Sequence, residues 1–283
     1  MLRSILGFVA AVMITGQAQQ AQAQSAVERG SYLVNTIMTC GNCHTPKGPP
    51  AAVAGKDFSG GLTFDEPPFK VTASNITPDK VTGIGNWTDA QIKTAILTGK
   101  RPDGVQLAEV MPTSFYPILT EGDLNAIVAY LRSLKPVTNK VPAPIYKIAL
   151  PHHVFPGAEK AYKQADLNDK LKRGFYLVTI GHCMECHTPF GAGGGPDFKG
   201  SLGKGGREFP GPWGVSKSRN ITSSKTAGLG AWTDAEIKTA IAQGKRKDGS
   251  PLKGPMGYSH YAKMTGADLD AVVAYVRTLP AKQ

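Results

Sequence analysis

All four cysteines of this 283-residue chain fall in two C-x-x-C-H motifs, Cys40-Gly41-Asn42-Cys43-His44 and Cys183-Met184-Glu185-Cys186-His187. Two intervening residues place both thiols on one helical turn. There they can form thioethers with the two vinyl groups of a single haem, and the adjoining histidine aims its ring at the iron. A zinc site needs four ligands, and two pairs in separate parts of the chain lack zinc-ribbon spacing. A redox dithiol leaves His44 and His187 unexplained. Structural disulfides suit an exported protein, but two matched motifs with no cysteine left over favour attachment of two c-type haems.

The opposite axial ligand separates electron transfer from catalysis. Between residues 24 and 135 the candidates are Met38, which precedes Cys40 on the proximal side, and Met111. The later part of the chain offers Met184, Met256, Met264, His182 and His260. Met111 precedes Asp123 by twelve residues and Met256 precedes Asp268 by twelve, and each has a neighbouring proline. Met264 aligns with Leu119 and His260 with Phe115, which marks them as packing or loop residues. Met111 and Met256 are therefore the expected distal ligands. A thioether opposite imidazole raises the potential of haem iron, and filling both axial positions leaves no open site for a substrate.

The alignment rests on an internal repeat. Arg29-Gly30-Ser31-Tyr32 returns as Arg173-Gly174-Phe175-Tyr176, Asn75-Ile76-Thr77 as Asn220-Ile221-Thr222, and Trp87-Thr88-Asp89-Ala90 as Trp232-Thr233-Asp234-Ala235. Ala129-Tyr130-Leu131-Arg132 returns as Ala274-Tyr275-Val276-Arg277. The expected organisation is a leader over 1–23, a first domain over 24–135, a linker over 136–156 and a second domain over 157–283. Five prolines in the linker predict an extended spacer, with His152 and His153 facing solvent.

Each unit reads as mainly α. Thr88-x-x-Gln91 and Thr233-x-x-Glu236 are capping boxes followed by helically spaced apolar residues, with Gly99 and Gly244 at the C-caps. Thr120 and Thr265 open a last helix, and a further helix precedes each cysteine motif. Gly30 and Gly174 are expected where first and last helices cross, against Tyr130 and Tyr275. The Gly/Pro-rich stretches 45–70 and 188–215 show little helical pattern. So few helices bury little apolar surface, so haem is expected to complete each core and each unit to fold by itself. Arg101 and Arg246, in matched Lys-Arg-x-Asp-Gly segments, are candidates for a haem propionate. Trp87 and Trp232 are expected to pack on haem or helix.

Gly and Pro make up about 19% of the chain, below the low-complexity range. No apolar run reaches the ~18 residues of a membrane span. The net charge of +11 is scattered apart from Lys245–Lys247, which does not indicate nucleic acid. Residues 24–150 hold 12 Lys and Arg against 10 Asp and Glu, and residues 151–283 hold 19 against 11. That asymmetry predicts an acidic partner surface near the second unit. Arg3, the apolar run Ile5–Ile14 and Ala21-Gln22-Ala23 read as a secretory signal with its cleavage site, the alternative being a retained anchor.

Each unit resembles a class I cytochrome c domain: C-x-x-C-H after an N-terminal helix, a late methionine, then a C-terminal helix. The pattern Asn-Ile-Thr, Gly-x-Gly-x-Trp-Thr-Asp, Met-Pro and Ala-Tyr-Leu-Arg-Ser-Leu further resembles multihaem cytochrome subunits of bacterial alcohol, gluconate and aldehyde dehydrogenase complexes. The resemblance implies electron transfer from a dehydrogenase subunit towards a cytochrome, oxidase or quinone. It also implies a periplasmic location, with peripheral association at the inner membrane. Such subunits commonly have three haem domains, and two are visible here. The rival reading is a dihaem enzyme such as a peroxidase, which needs one haem with an open position.

Overall fold

The computed structural model describes residues 25–48, 52–150, 153–192 and 194–283. The leader read at 1–23 and His152 lie outside them. Helix α1 covers 25–32 and runs on as a π-helical turn, Leu33–Ile37. It is followed by α2 (Gly41–His44), a hairpin of β1 (Thr63–Glu66) and β2 (Phe69–Thr72), α3 (Asp89–Thr98), a 3-10 turn (Thr113–Phe115) and α4 (Glu121–Ser133). After a short strand β3 (Ile145–Tyr146) the order repeats: α5 (Lys170–Ile180), α6 (Cys183–His187), β4 (Glu208–Gly211), β5 (Gly214–Lys217), α7 (Asp234–Gln243), α8 (Tyr258–Tyr261) and α9 (Gly266–Val276).

The helices begin and end where local chemistry dictates. Thr88 and Thr233 form complete capping boxes with Gln91 and Glu236, and Gly99 and Gly244 take left-handed φ values of 68° and 63°. Such values carry no Cβ penalty for glycine. Thr120 and Thr265 accept hydrogen bonds from the Asp123 and Asp268 amides and so cap α4 and α9.

The expected crossing of first and last helices is present in both units. A Cβ on Gly30 would lie 1.9 Å from the Ala126 carbonyl oxygen, and one on Gly174 would lie 2.1 Å from that of Ala271. Only hydrogen fits there. Beside each crossing an arginine on the first helix grips an aspartate on the last: Arg29 to both Asp123 carboxylate oxygens at 2.8 Å, and Arg173 to Asp268 at 2.6 Å. At the far end Arg132 and Arg277 tie the last helix to Asp89 and Asp234 and to the Trp87 and Trp232 carbonyls.

The Gly/Pro-rich stretches, with their weak helical pattern, lead into small antiparallel hairpins, with Thr63 opposite Thr72 and Glu208 opposite Lys217. Strands of four residues around a Pro-rich turn are too short to show a clear two-residue period. The Pro-rich linker, expected to be a spacer, instead straps the first unit. The Asn75 side chain donates to the Val137 carbonyl at 2.7 Å, Thr138 donates to Asp79 at 2.8 Å, and Asn139 donates to the Ser59 carbonyl at 2.9 Å. Further on, β3 pairs antiparallel with β2, making a three-stranded sheet. Proline's fixed φ suits an extended strap as well as a spacer; the unpaired edge of β2 decides between them.

The units are not held apart. Buried side chains from both, including Leu33, Ile37, Tyr116, Ile127, Tyr176, Ile180 and Val272, form one continuous core. Linker residue Phe155 stacks on Phe115 of the first unit at 4.9 Å and meets Phe198 of the second edge-on at 4.9 Å. Offset and edge-on geometries suit the ring quadrupoles.

Candidate functional site

The two motifs occupy equivalent short helices, α2 and α6. None of Cys40, Cys43, Cys183 and Cys186 forms a disulfide. All four sulfurs are largely shielded from water at the ends of their short helices. Among the described residues no group of three or more His, Cys, Asp and Glu side chains could hold a metal ion.

Both histidines are held by the same device. The His44 Nδ1 lies 2.7 Å from the Ser74 carbonyl oxygen, and the His187 Nδ1 lies 2.7 Å from that of Arg219. A carbonyl only accepts, so Nδ1 carries the proton and Nε2 keeps its lone pair free. Desolvation pulls both imidazoles below their ordinary pKa, and the carbonyl bond opposes that only in part. They are therefore neutral at physiological pH. Ser74 and Arg219 each precede the Asn-Ile-Thr repeat. There Asn75 and Asn220 accept from the Thr77 and Thr222 amides and hydroxyls, and their side-chain amides donate to the Val137 and Lys282 carbonyls.

Met111 and Met256 are half-buried and sit in matching turns. The amide two residues on donates back to the methionine carbonyl, Thr113 at 2.7 Å and Tyr258 at 3.0 Å. The other candidates have different partners. The His182 Nδ1 lies 2.9 Å from a Glu185 carboxylate oxygen, and the His260 Nδ1 reaches the Asn35 carbonyl of the first unit at 2.8 Å. Met38 and Met184 are buried in the shared core, and Met264 packs against it.

The family profile for cytochrome c matches residues 27–135 and 171–280. The chain belongs to the cytochrome c family. It is 33% identical to the cytochrome c subunit of the quinone-dependent alcohol dehydrogenase of Gluconacetobacter polyoxogenes, over 94% of this chain and 58% of that protein. It is 30% identical to the gluconate 2-dehydrogenase cytochrome c subunit of Pantoea cypripedii, covering 100% of this chain and 66% of the relative. It is 29% identical to a dihaem c-type cytochrome of Cereibacter sphaeroides, over 86% and 82% respectively. The chain thus spans about three fifths of the alcohol dehydrogenase subunit.

As a cytochrome c of two domains, the protein binds two covalent haem c groups. The donor set fits them: two neutral imidazoles fixed through Nδ1, each next to a pair of cysteines that no disulfide ties up. The alcohol and gluconate dehydrogenase relatives are named as the cytochrome c subunits of those enzymes. Arg101 and Arg246 sit in equivalent loops, each closed by its amide donating to a carbonyl four residues on, Val105 at 3.0 Å and Ser250 at 2.8 Å. Arg101 pairs with Asp103 at 2.9 Å while its Nε is buried without a partner, and the Arg246 guanidinium reaches Ser250 Oγ at 3.4 Å. Trp232 lines a cleft together with Arg246, Lys247 and Asp248.

Sequence reading missed Arg132, Arg277 and the carbonyls of Ser74 and Arg219. The arginines were visible as repeat matches, but a backbone carbonyl carries no residue-type signal.

Proposed function

We propose that this cytochrome c relays single electrons from a dehydrogenase subunit towards a cytochrome, oxidase or quinone, as a periplasmic protein acting at the face of the inner membrane. In this reading Cys40 and Cys43 attach one haem and Cys183 and Cys186 the other. His44 and His187 hold the irons through Nε2, Met111 and Met256 take the opposite positions, and Arg101 and Arg246 meet propionates. The carrying observation is the pair of Nδ1–carbonyl bonds, which orient both rings and set both tautomers alike. Bound haem c supplies a one-electron couple.

The relatives support the dehydrogenase as donor, because two of them are named as dehydrogenase cytochrome subunits. Among the described residues no helix is long and apolar enough to cross a membrane. The basic second unit is the proposed docking side for an acidic partner.

The test is spectroscopic. Both haems of the oxidised protein should be low-spin with the weak far-red band of methionine ligation, and Met111→Ala and Met256→Ala should each remove about half of it. A high-spin component in the unmodified protein would overturn the relay in favour of the open-site enzyme.

A further inference from the structure

The segments leading into the two cysteine motifs differ by one residue. Five residues separate Val34 from Cys40, and four separate their counterparts Val178 and Cys183. The second unit fits a regular helix, α5, into the shorter segment, whereas the first absorbs the extra residue as the π-helical turn Leu33–Ile37. A π-turn of this kind re-routes the backbone bonds of a helix and is frequent at functional sites. Here the Met38 amide donates to the Leu33 carbonyl at 2.9 Å and the Cys40 amide to that of Val34 at 3.0 Å. Both bonds bypass the Asn35 carbonyl, which accepts instead from the His260 Nδ1 of the second unit at 2.8 Å.

The repeat changes both halves of this contact together. The counterpart of Asn35 is Thr179, whose carbonyl is taken by the His182 amide of its own unit at 2.8 Å. The counterpart of His260 is Phe115, a side chain with no hydrogen to donate, which stacks on Phe155. The donor stands where the π-turn leaves a carbonyl over, and an apolar ring stands where it does not.

His260 lies four residues after Met256, and its helix grows directly out of the methionine turn. The Tyr258 amide donates to the Met256 carbonyl, and the His260 and Tyr261 amides donate to that of Gly257, all at 3.0 Å. The same segment runs along the first helix of the other unit. A Cβ on Gly257 would lie 3.7 Å from the Thr39 methyl, next to Cys40, and the Thr265 amide donates to the Tyr32 hydroxyl at 3.1 Å. The turn after Met111 is anchored differently: its Ser114 carbonyl accepts from the amide of linker residue Phe155 at 2.8 Å.

We propose that His260 is a positioning residue for the second haem. Through the Asn35 carbonyl it fastens the turn that carries Met256 to the segment that leads into Cys40, so distal ligation in the second unit depends on the first. This rests on the reading of Met256 as the distal ligand. A carbonyl only accepts, so the contact needs the Nδ1 hydrogen. A side chain without it leaves a part-buried carbonyl unpaired and the Met256 turn untied.

The holoprotein tests this through the far-red methionine band, far-UV circular dichroism and a redox titration. Met256→Ala defines the second haem's share of the band, about half of it. His260→Phe, which installs the residue of the first unit, should lose that share at a lower temperature than the parent while helicity is still intact. It should also lower the potential of one haem only, because thioether ligation raises it. His260→Asn places an amide N–H two bonds from Cβ, as Nδ1 is, and should restore most of both properties. Band loss in His260→Phe that merely follows unfolding of the whole chain would overturn the proposal and leave a structural bond. So would identical behaviour of His260→Asn and His260→Phe. An intact band in Met256→Ala would overturn the ligand reading itself, and the proposal with it.

Discussion

Tyr176 of the second unit donates its phenolic hydrogen to Asp123 of the first at 2.6 Å, deep in the shared core. Its repeat counterpart Tyr32 returns the contact, donating to Asp268 at 2.6 Å. Each aspartate is already gripped by the arginine of its own unit, so the two Arg–Asp–Tyr triads cross the interface in opposite directions. This is the self-complementary arrangement of a two-fold dimer, built within one chain. Burial, and then the Asp123 charge, raise the Tyr176 pKa strongly, which keeps it a donor.

Removing the hydroxyls should therefore loosen the interface. Tyr176→Phe should cost about 1.5–3 kcal/mol, the range for a hydrogen bond to a charged group. Tyr32→Phe should cost less, because Tyr32 is only half-buried. Urea midpoints of the holoprotein measure both, and equal, negligible losses would show that the triads contribute nothing.

The crossing glycines give a sharper steric test. Gly30→Ala and Gly174→Ala each place a methyl inside a backbone carbonyl contact, and overpacking of this kind costs about 1–3 kcal/mol or more. Thermal unfolding should register both. A neutral Gly174→Ala would mean the α5–α9 crossing can widen freely.

The shared core also changes the expected response to losing one haem. Separate domains would leave the second unit intact after Cys40→Ala with Cys43→Ala. With Ile37, Tyr116 and Tyr176 in one core, the remaining haem absorbance should instead bleach at a lower temperature than in the parent protein. An unchanged transition would restore the picture of independent units.

Asp79 ties the linker strap down and gives it a pH dependence. Bonds from Thr82 and Thr138 hold its carboxyl at about 2, below the ordinary 3.8. The folded state therefore binds this proton less readily than the unfolded one. Its contribution is complete above about pH 4 and fades as pH falls towards 2. Asp79→Asn should lower stability at neutral pH and converge with the parent under acid, as read by pH-dependent urea unfolding. Ser224 stands at the equivalent position, so the second unit lacks this term.

Charge reversal tests the docking side. Lys245→Glu with Lys247→Glu should slow electron exchange with an acidic partner at low salt and matter little once the Debye length falls to about 8 Å. Lys245 should carry more of the effect, because Lys247 already donates to the Ala231 carbonyl at 3.1 Å. Equal slowing from Lys47→Glu with Lys56→Glu would show that the asymmetry directs nothing.

Residue type and spacing alone determined the two haem motifs, the repeat, the capped helices and the glycine crossings. These follow from local rules: thiols on one turn, threonine before a helix, no side chain where backbones touch. The relation between the units was not legible. Tyr32, Tyr176, Asp123 and Asp268 read as ordinary surface-capable residues until a two-fold packing brings each tyrosine to the other unit's aspartate. The linker prolines fit a spacer or a strap equally well, and the pairing of Ile145 and Tyr146 with β2 chose the strap. Nor could sequence reveal that Ser74 and Arg219 matter, since every residue has a carbonyl and only the tertiary fold aims these two at His44 and His187.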